Sequence, residues 1–450
     1  MNNHKTDTNL LETIHFVSLG CPKNRVDSEV MAGVATRHGL EIVAEAADAD
    51  VIVVNTCAFI ESAKEESIDA LLVMARLRKN GRLKRLVSAG CLSQRFGEDL
   101  AREMPEIDNL LGTGFPGEID RVIRGTAPRV SVGPPAHLLP GPDTPRFTEP
   151  EAASAYIKIG DGCSRKCAFC AIPGIRGKAR SRPVNEIVAE AELLVSRGVK
   201  ELNLVAQDTA AYGRDLPGGT DLESLIKALS RVRDVAWIRL LYLYPDTVTD
   251  GLLTAMRDLK TVVPYLDVPI QHASAAMLRR MRRGHGPGRL RRLVERVRKT
   301  VPRAFLRTTV LVGHPGESDE DFAELLDFLE WARFDHLGAF RYSDEEDTAA
   351  FDMKHKVSPR DSYNRLRKVM ALGRRVSRQN NRARKNNSIE VIVEDVADSQ
   401  GYVLVGRHAG QAPDIDGVTY ITSSDARIGD IIQTRVIKTH DFDLVVEPST

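Results

Sequence analysis

Cys163-Ser164-Arg165-Lys166-Cys167-Ala168-Phe169-Cys170 is the stretch on which the reading of this chain turns. Three of the chain's six cysteines fall here, with no histidine and no fourth cysteine near them. Thiolates spaced three and two residues apart on one loop can converge on a single metal centre, because the intervening backbone is just long enough to wrap around it. A structural zinc site closes with four ligands, commonly as two local pairs. Three local thiolates therefore fit better with a cube-shaped four-iron cluster that leaves one iron open for a substrate or cofactor. The plainer alternative is that the three cysteines only pack, although clustered exposed thiols are reactive.

Outward from the loop, Ala155 to Ile159 reads as a strand, and Pro183 to Ser196 as a helix with apolar residues at helical spacing. Further strands are predicted at Glu201 to Ala206, Trp237 to Leu243, Tyr265 to Ile270, Leu306 to Val312 and Leu337 to Tyr342, with helical stretches between most of them. Six such units make an incomplete α/β barrel whose strand-end loops gather at one mouth, and the cysteine loop sits there.

The 450 residues suffice for about three domains. Apolar residues make up 42% and charged residues 28%, which excludes a disordered or fibrous chain. No apolar run approaches the ~20 residues of a spanning helix, and Met1 to Thr13 has no apolar signal-peptide core. A cytoplasmic protein is expected, and sparse cysteine agrees with a reducing compartment. Lys plus Arg number 63 against 62 Asp plus Glu, so any pull on anions must be local. Arg279 to Arg307 holds twelve basic residues and one acid, and Arg365 to Lys385 nine and none. Each run is either a solvated helix face or a surface for an anionic partner or cofactor.

The cysteine triplet with Phe169 before its last member resembles the signature of the radical S-adenosylmethionine superfamily, whose fold is the same partial barrel. The resemblance implies that the cofactor chelates the open iron and is cleaved by one electron to a 5′-deoxyadenosyl radical. It also places Phe169 near the adenine, where a core aromatic is the other reading. Thr309 to Glu317, Thr-Val-Leu-Val-Gly-His-Pro-Gly-Glu, is similar to the family's adenine-side strand and turn.

Strands predicted at Ile14 to Ser18, Val51 to Asn55 and Leu86 to Ala89, with helix such as Ser62 to Arg76, make the first 140 residues an open parallel sheet. Each strand is followed by a cysteine: Cys21, Cys57 and Cys91. Loops at the carboxyl ends of parallel strands meet at one edge, so these thiolates can converge; three separately buried cysteines are the alternative. Gly20-Cys21-Pro-Lys-Asn24, Asn55-Thr-Cys57-Ala-Phe-Ile60 and Ala89-Gly90-Cys91-Leu-Ser-Gln94 are similar to the methylthiotransferase family. That likeness implies a second, auxiliary iron-sulfur cluster on these cysteines, carrying the sulfur to be methylated and transferred, and facing the first cluster.

Beyond residue 377, strands at Ser388 to Val396, Tyr402 to Gly406, Val418 to Thr422 and Ile431 to Ile437 predict a small all-β barrel, similar to the family's TRAM-like substrate-binding barrel. The expected domains are therefore 14–140, a methylthiotransferase amino-terminal domain; 150–376, a radical S-adenosylmethionine core; and 377–450, the TRAM-like barrel. From Ser388 to Thr450 eleven acids face four bases, which suits a basic protein partner better than RNA phosphates. A barrel that contacts nothing is the alternative.

Cys21-Pro-Lys-Asn-Arg-Val-Asp-Ser28, Gln271-His272-Ala-Ser274 and Gly406-Arg-His-Ala-Gly-Gln-Ala-Pro-Asp414 resemble the branch that modifies ribosomal protein S-twelve. The resemblance implies methylthiolation at the β carbon of an aspartate in that basic protein, the protein being free or within the ribosomal subunit, with an electron-donor protein, no membrane and only secondary nucleic-acid contact. The alternatives are methylthiolation of a transfer-RNA adenosine and a noncatalytic metal-bearing protein. Asp347 stands where the branch has glycine, and His314 where phenylalanine is common. His272 and His285 are single loop histidines to which no catalytic role is assigned. Beyond the cluster ligands no catalytic residue is named, and no phosphate-binding Gly-x4-Gly-Lys-Thr loop occurs.

Overall fold

A computed structural model describes residues 11–449, apart from 115, 135–138, 140, 142 and 398–400. The chain divides into two compact units, one comprising the chain up to Thr148 with Ile172–Gly177, the other Glu149–Ala171 with Lys178–Thr450.

In the first unit β1 (Thr13–Ser18), β2 (Glu41–Ile42), β3 (Val51–Thr56), β4 (Arg85–Gly90), β5 (Asn109–Leu111) and β6 (Val130–Ser131) form one parallel sheet in the order β2-β1-β3-β4-β5-β6. β3 is buried along its whole length, as its unbroken Val-Ile-Val-Val run requires of a central parallel strand. The three predicted strands are present and are neighbours, so the three cysteine loops leave the same edge side by side. The three additional strands are only two or three residues long, too short to show a period in sequence.

In the second unit β7 (Ser154–Lys158) is followed by a hairpin of β8 (Gly160–Asp161) and β9 (Arg180–Ser181). Then come β10 (Glu201–Val205), β11 (Trp237–Leu240), β12 (Val262–Asp267), β13 (Phe305–Val312) and β14 (His336–Arg341). The six long strands make a parallel sheet ordered β14-β13-β12-β11-β10-β7, the expected six-unit partial barrel. Its stability comes from the outer face, where Ile157, Leu204, Leu240, Leu266 and Val310 pack on Ile187, Leu225, Leu253, Val294 and Leu325 of the surrounding helices. β12 begins three residues before its predicted start. Pro264 in Val-Val-Pro-Tyr argues against a strand, yet the register between β11 and β12 slips there, so a bulge accommodates the missing donor.

β15 (Ser388–Val396), β16 (Leu404–His408), β17 (Thr419–Ile421), β18 (Ile431–Thr439) and β19 (Leu444–Pro448) close into a barrel ordered β15-β16-β17-β19-β18 around Val391, Val393, Ile421, Val436 and Val446. β19 was not expected; its Leu-Val-Val run has no alternation and ends in proline. The helix Pro359–Arg382 runs unbroken through Ser377, the expected domain boundary, and the barrel belongs to the same compact unit as the core.

What joins barrel to core is the loop after β16. Tyr156 donates to Asp414 at 3.0 Å, Tyr265 to Asp416 at 2.6 Å, and Arg239 to the Ala409 carbonyl at 2.8 Å, while His336 lies 2.6 Å from the Gly410 carbonyl. These partners lie on the inner face of the partial barrel near its amino end, so the loop plugs that end. The motif Gly406 to Asp414 owes its composition to this seat: a Cβ on Gly410 would lie 2.2 Å from the Phe305 ring.

Candidate active site

In the first unit Cys21 precedes the helix Pro22–Arg37, Cys57 follows β3, and Cys91 opens the helix Cys91–Glu103. Their loops are packed as tightly as backbone allows. Gly20 and Gly90 have φ of +88° and +92°, and a Cβ on them would meet Cys57 Cβ at 2.8 Å and Asn55 Oδ1 at 2.3 Å. Asn24 ties the loops together, its Nδ2 donating to the Leu19 and Thr56 carbonyls at 3.0 and 2.9 Å. Ser67 Oγ brackets Cys57, accepting from its N–H at 2.9 Å and donating to its carbonyl at 3.0 Å.

The residue that decides the electrostatics here is Arg176, from the segment Ile172–Gly177 that belongs to this unit. It is buried, donates to Asn24 Oδ1 at 2.6 Å and lies 3.2 Å from Asp27 Oδ2. Burial pushes the Cys91 thiol up to about 12 and raises Cys57, with Arg176 opposing in both. At Cys21 burial also raises the pKa, but Lys23 and Arg176 outweigh it and the net shift is downward.

In the second unit Cys163, Cys167 and Cys170 lie beyond the carboxyl end of β7, at the mouth of the partial barrel. The loop is pinned by the Ala168 N–H on the Met281 carbonyl at 3.0 Å and the Ala350 N–H on the Ala168 carbonyl at 2.8 Å. Arg283 Nη1 lies 3.3 Å from Cys167 Sγ, and the Arg165 N–H 3.5 Å from Cys163 Sγ. The two guanidinium groups stack on the Tyr244 ring at 3.8 and 4.0 Å, which holds both beside the thiols. Burial raises the Cys163 thiol.

Phe169 packs with Met277, Met281, Leu311 and Tyr342, its ring centre 6.5 Å from that of His314 in an edge-to-face arrangement. His314 and Glu317 belong to the turn that follows β13, where Gly313 and Gly316 have φ of +76° and +78°. Glu317 accepts from the Gly313 N–H and pairs with Arg365 at 3.2 Å and with His272 at 3.4 Å, so His272 is a positioning residue for the turn. His285 lies against Tyr244 and 3.5 Å from Asp246. Asp347 adopts φ +64°, the conformation for which glycine is the ordinary choice.

Among the described residues no three Cys, His, Asp or Glu side chains close on one point as they would around a single ion. A cube is held at separate corners, so its ligands surround a space instead of a point. Two sets of three cysteines, each beside buried or half-buried arginine, suit a group that binds thiolates and carries negative charge. The arginines were missed in sequence. Arg283 lay inside the flagged basic run, whereas nothing distinguished Arg165 or Arg176 from surface arginine. Of the eleven acids counted in the carboxyl-terminal barrel, Glu394, Asp414, Asp416, Asp441 and Glu447 engage Arg407, Tyr156, Tyr265, Arg378 and Arg435. Asp398 lies outside the described residues. The exposed acidic face is therefore smaller than the count suggested.

A radical S-adenosylmethionine superfamily model matches residues 157–329, that of the uncharacterised family UPF0004 matches 13–112, and a TRAM domain model matches 387–448. The ribosomal protein uS12 methylthiotransferase RimO of Sorangium cellulosum (strain So ce56) is 50% identical over 440 residues, covering 96% of this chain and 90% of that one. Its counterpart from Myxococcus xanthus (strain DK1622) is 48% identical over 439 residues, covering 98% and 92%. The chain belongs to the RimO methylthiotransferase family. Among solved structures, the radical S-adenosylmethionine methyltransferase TsrM from Kitasatospora setae, with cobalamin and a [4Fe-4S] cluster bound, superposes with a TM-score of 0.54 at 14% identity, covering 74% of this chain and 75% of that one. Apo OxsB, a cobalamin-dependent S-adenosylmethionine radical enzyme, gives 0.52 at 13% identity over 76% and 54%. At such identity the likeness is one of fold. As a radical S-adenosylmethionine enzyme, this methylthiotransferase uses an iron-sulfur cluster and S-adenosylmethionine. No helix among its described residues is long and apolar enough to cross a membrane.

Proposed function

We propose that this methylthiotransferase acts on ribosomal protein uS12 in the cytoplasm, at the β carbon of an aspartate. It would use two four-iron clusters, one on Cys163, Cys167 and Cys170, the other on Cys21, Cys57 and Cys91. The observation that carries the reading is the match over nearly the whole chain to relatives named for that reaction. The two strand-end cysteine sets, each with its arginine, support it. When bound, the clusters and S-adenosylmethionine supply a 5′-deoxyadenosyl radical that takes hydrogen from an unactivated carbon, and the sulfur that replaces it.

The chain's own residues hold and shield. Phe169, backed by the buried Met277 and Met281, offers an apolar face to the adenine, and the Gly313–Glu317 turn is fixed by Arg365 and His272. Arg165 and Arg283 offset thiolate charge at the mouth. The plugged amino end keeps bulk water from entering the barrel from below. The exposed barrel acids Glu390, Asp395, Asp425 and Asp430 suit a basic protein. An electron-donor protein is required.

Anaerobically reconstituted protein should hold about eight irons per chain, and zinc in their place would point to a noncatalytic metal protein. Mass spectrometry of uS12 and transfer RNA from a deletion strain decides the substrate: the methylthio group should vanish from uS12 and persist on RNA, and the reverse defeats the reading. Cys163→Ala should abolish cofactor cleavage, whereas Cys21→Ala should spare cleavage and remove sulfur transfer.

A further inference from the structure

The side chain of Arg307 is a largely buried cation that makes no hydrogen bond among the described residues. On β13, Leu306 and Val310 face the surrounding helices, so Arg307, Thr309 and Leu311 face the interior of the partial barrel. The Arg307 side chain is 14% exposed, and its nearest acids, Asp267 and Asp416, stand 3.8 and 4.0 Å from Nε, beyond hydrogen-bond reach. Nε is wholly buried and has no hydrogen-bond partner, its two acids reaching it only as long ion pairs. A guanidinium has five donors, and leaving a buried one unsatisfied is costly unless a ligand completes it.

The surroundings say what that ligand is. Both acids are already engaged: Asp416 accepts from Tyr265 at 2.6 Å and from the Ala412 N–H at 2.9 Å, and Asp267 accepts from the Tyr242 N–H at 3.0 Å. The terminal nitrogens of Arg307 rise one layer toward the mouth, 3.7 and 3.8 Å from where a Cβ on Gly338 would stand. Gly338 pairs with Thr309, two residues nearer the carboxyl end of the strand, so its missing side chain leaves room in front of the fork. Below, the loop after β16 occupies the amino end of the barrel.

We infer that Arg307 is the barrel's carboxylate receptor, and that its ligand is the side-chain carboxylate of the residue being modified. The inference rests on the proposed protein substrate and deepens it. A planar fork gripping a carboxylate in bidentate fashion fixes the adjacent carbon, which is the β carbon of an aspartate. The same chemistry is present in the methionyl carboxylate of S-adenosylmethionine, and the experiment separates the two.

Full-length, cluster-reconstituted Arg307→Gln and Arg307→Lys are compared with wild type on uS12 and on uS12 with the target aspartate changed to asparagine. S-adenosylmethionine binding by equilibrium dialysis and 5′-deoxyadenosine release without uS12 serve as readouts of fold and cofactor site. Arg307→Gln should lower kcat/KM on uS12 by roughly 10- to 150-fold, the worth of charge-assisted hydrogen bonds. Arg307→Lys should fall between, the preference for aspartate over asparagine should shrink in both, and cofactor binding should stay within about twofold. Weakened cofactor binding would assign the carboxylate to S-adenosylmethionine and overturn the inference. An unchanged kcat/KM would overturn it too. Wild-type protein that leaves uS12 unmodified would defeat the substrate reading and this inference together, whereas wild-type activity with an unaffected variant defeats this inference alone.

Discussion

Arg407→Met tests whether buried charge holds the carboxyl-terminal barrel to the core. Arg407, with 3% of its side chain exposed, donates to both Glu201 and Glu394, and Arg239 reaches the other Glu201 oxygen at 2.8 Å with no exposure on either side. Removing Arg407 leaves Glu394 without its cation and Glu201 with one; breaking a buried pair from one side costs about 3–5 kcal/mol because the remaining charge is stranded. Glu201 provides an independent measure. Burial opposes ionisation of its carboxyl, but Arg407 and Arg239 outweigh that and hold its pKa down to about 2 against an ordinary 4.5. A carboxylate with a depressed native pKa binds fewer protons when folded, so its stabilisation is complete above about pH 5 and drains away as pH falls through 4.5 toward 2. That gap amounts to about 3 kcal/mol, consistent with the pair estimate. Both tryptophans, Trp237 and Trp331, lie in this unit and are buried or packed on its core, so their fluorescence in urea reports it. Arg407→Met should lower the urea midpoint by the equivalent of about 3–5 kcal/mol at neutral pH. It should also flatten the loss of stability between about pH 5 and pH 3. A loss below about 1 kcal/mol, or an undiminished pH slope, would refute the reasoning.

Gly90→Ala should destabilise the first unit by more than ~1 kcal/mol, because a side chain is strained at its positive φ and would strike Asn55; circular dichroism melts and loss of iron uptake would register it. Asp347→Gly should change the melting temperature little, since relief of a left-handed residue, ~1 kcal/mol, is offset by the entropy glycine loses; a large loss would reveal a role for the carboxylate. Burial holds His314 neutral with its pKa lowered to about 4. The unfolded chain therefore binds the extra proton as pH falls through about 6.5, and stability declines from there toward pH 4. His314→Phe should remove part of that decline, and unchanged melting curves across this range would count against it.

Strong periodic segments were legible because a single strand can advertise its own burial: Val51–Thr56 and Phe305–Val312 lie within a residue of where the pattern put them. The cysteine triplet was conspicuous for a related reason, its members being close together in sequence. Arg176 was not. Its partners Asn24 and Asp27 lie some 150 positions away, and a sequence holds no trace of which arginines a fold turns inward. Leu444–Pro448 and Pro264 were obscured by proline, whose cost depends on register that only the assembled sheet defines. The acid count of the small barrel misled for the converse reason, since ion pairs such as Glu394 with Arg407 spend charge that composition tallies as free.

The two faces of the partial barrel divide folding from chemistry. A closed eight-stranded barrel fills its interior with layers of Val, Ile and Leu. Here those residues lie outside, while the inner face carries Lys158, Asn203, Arg239, Tyr265, Asp267 and Arg307, all buried or nearly so. Such an interior does not stabilise by burial of apolar area; it is tolerable only where its polar groups find partners. At the amino end the loop after β16 supplies partners to Tyr156, Arg239, Tyr265 and His336. One layer higher, Arg307 Nε makes no hydrogen bond and faces Asp267 and Asp416 only across 3.8 and 4.0 Å. The interior thus leans on this loop at its amino end and leaves Arg307 Nε without a hydrogen bond one layer nearer the cysteine loop. Substitutions at the plug should therefore cost stability first, whereas those at Arg307 should cost turnover with the fold intact.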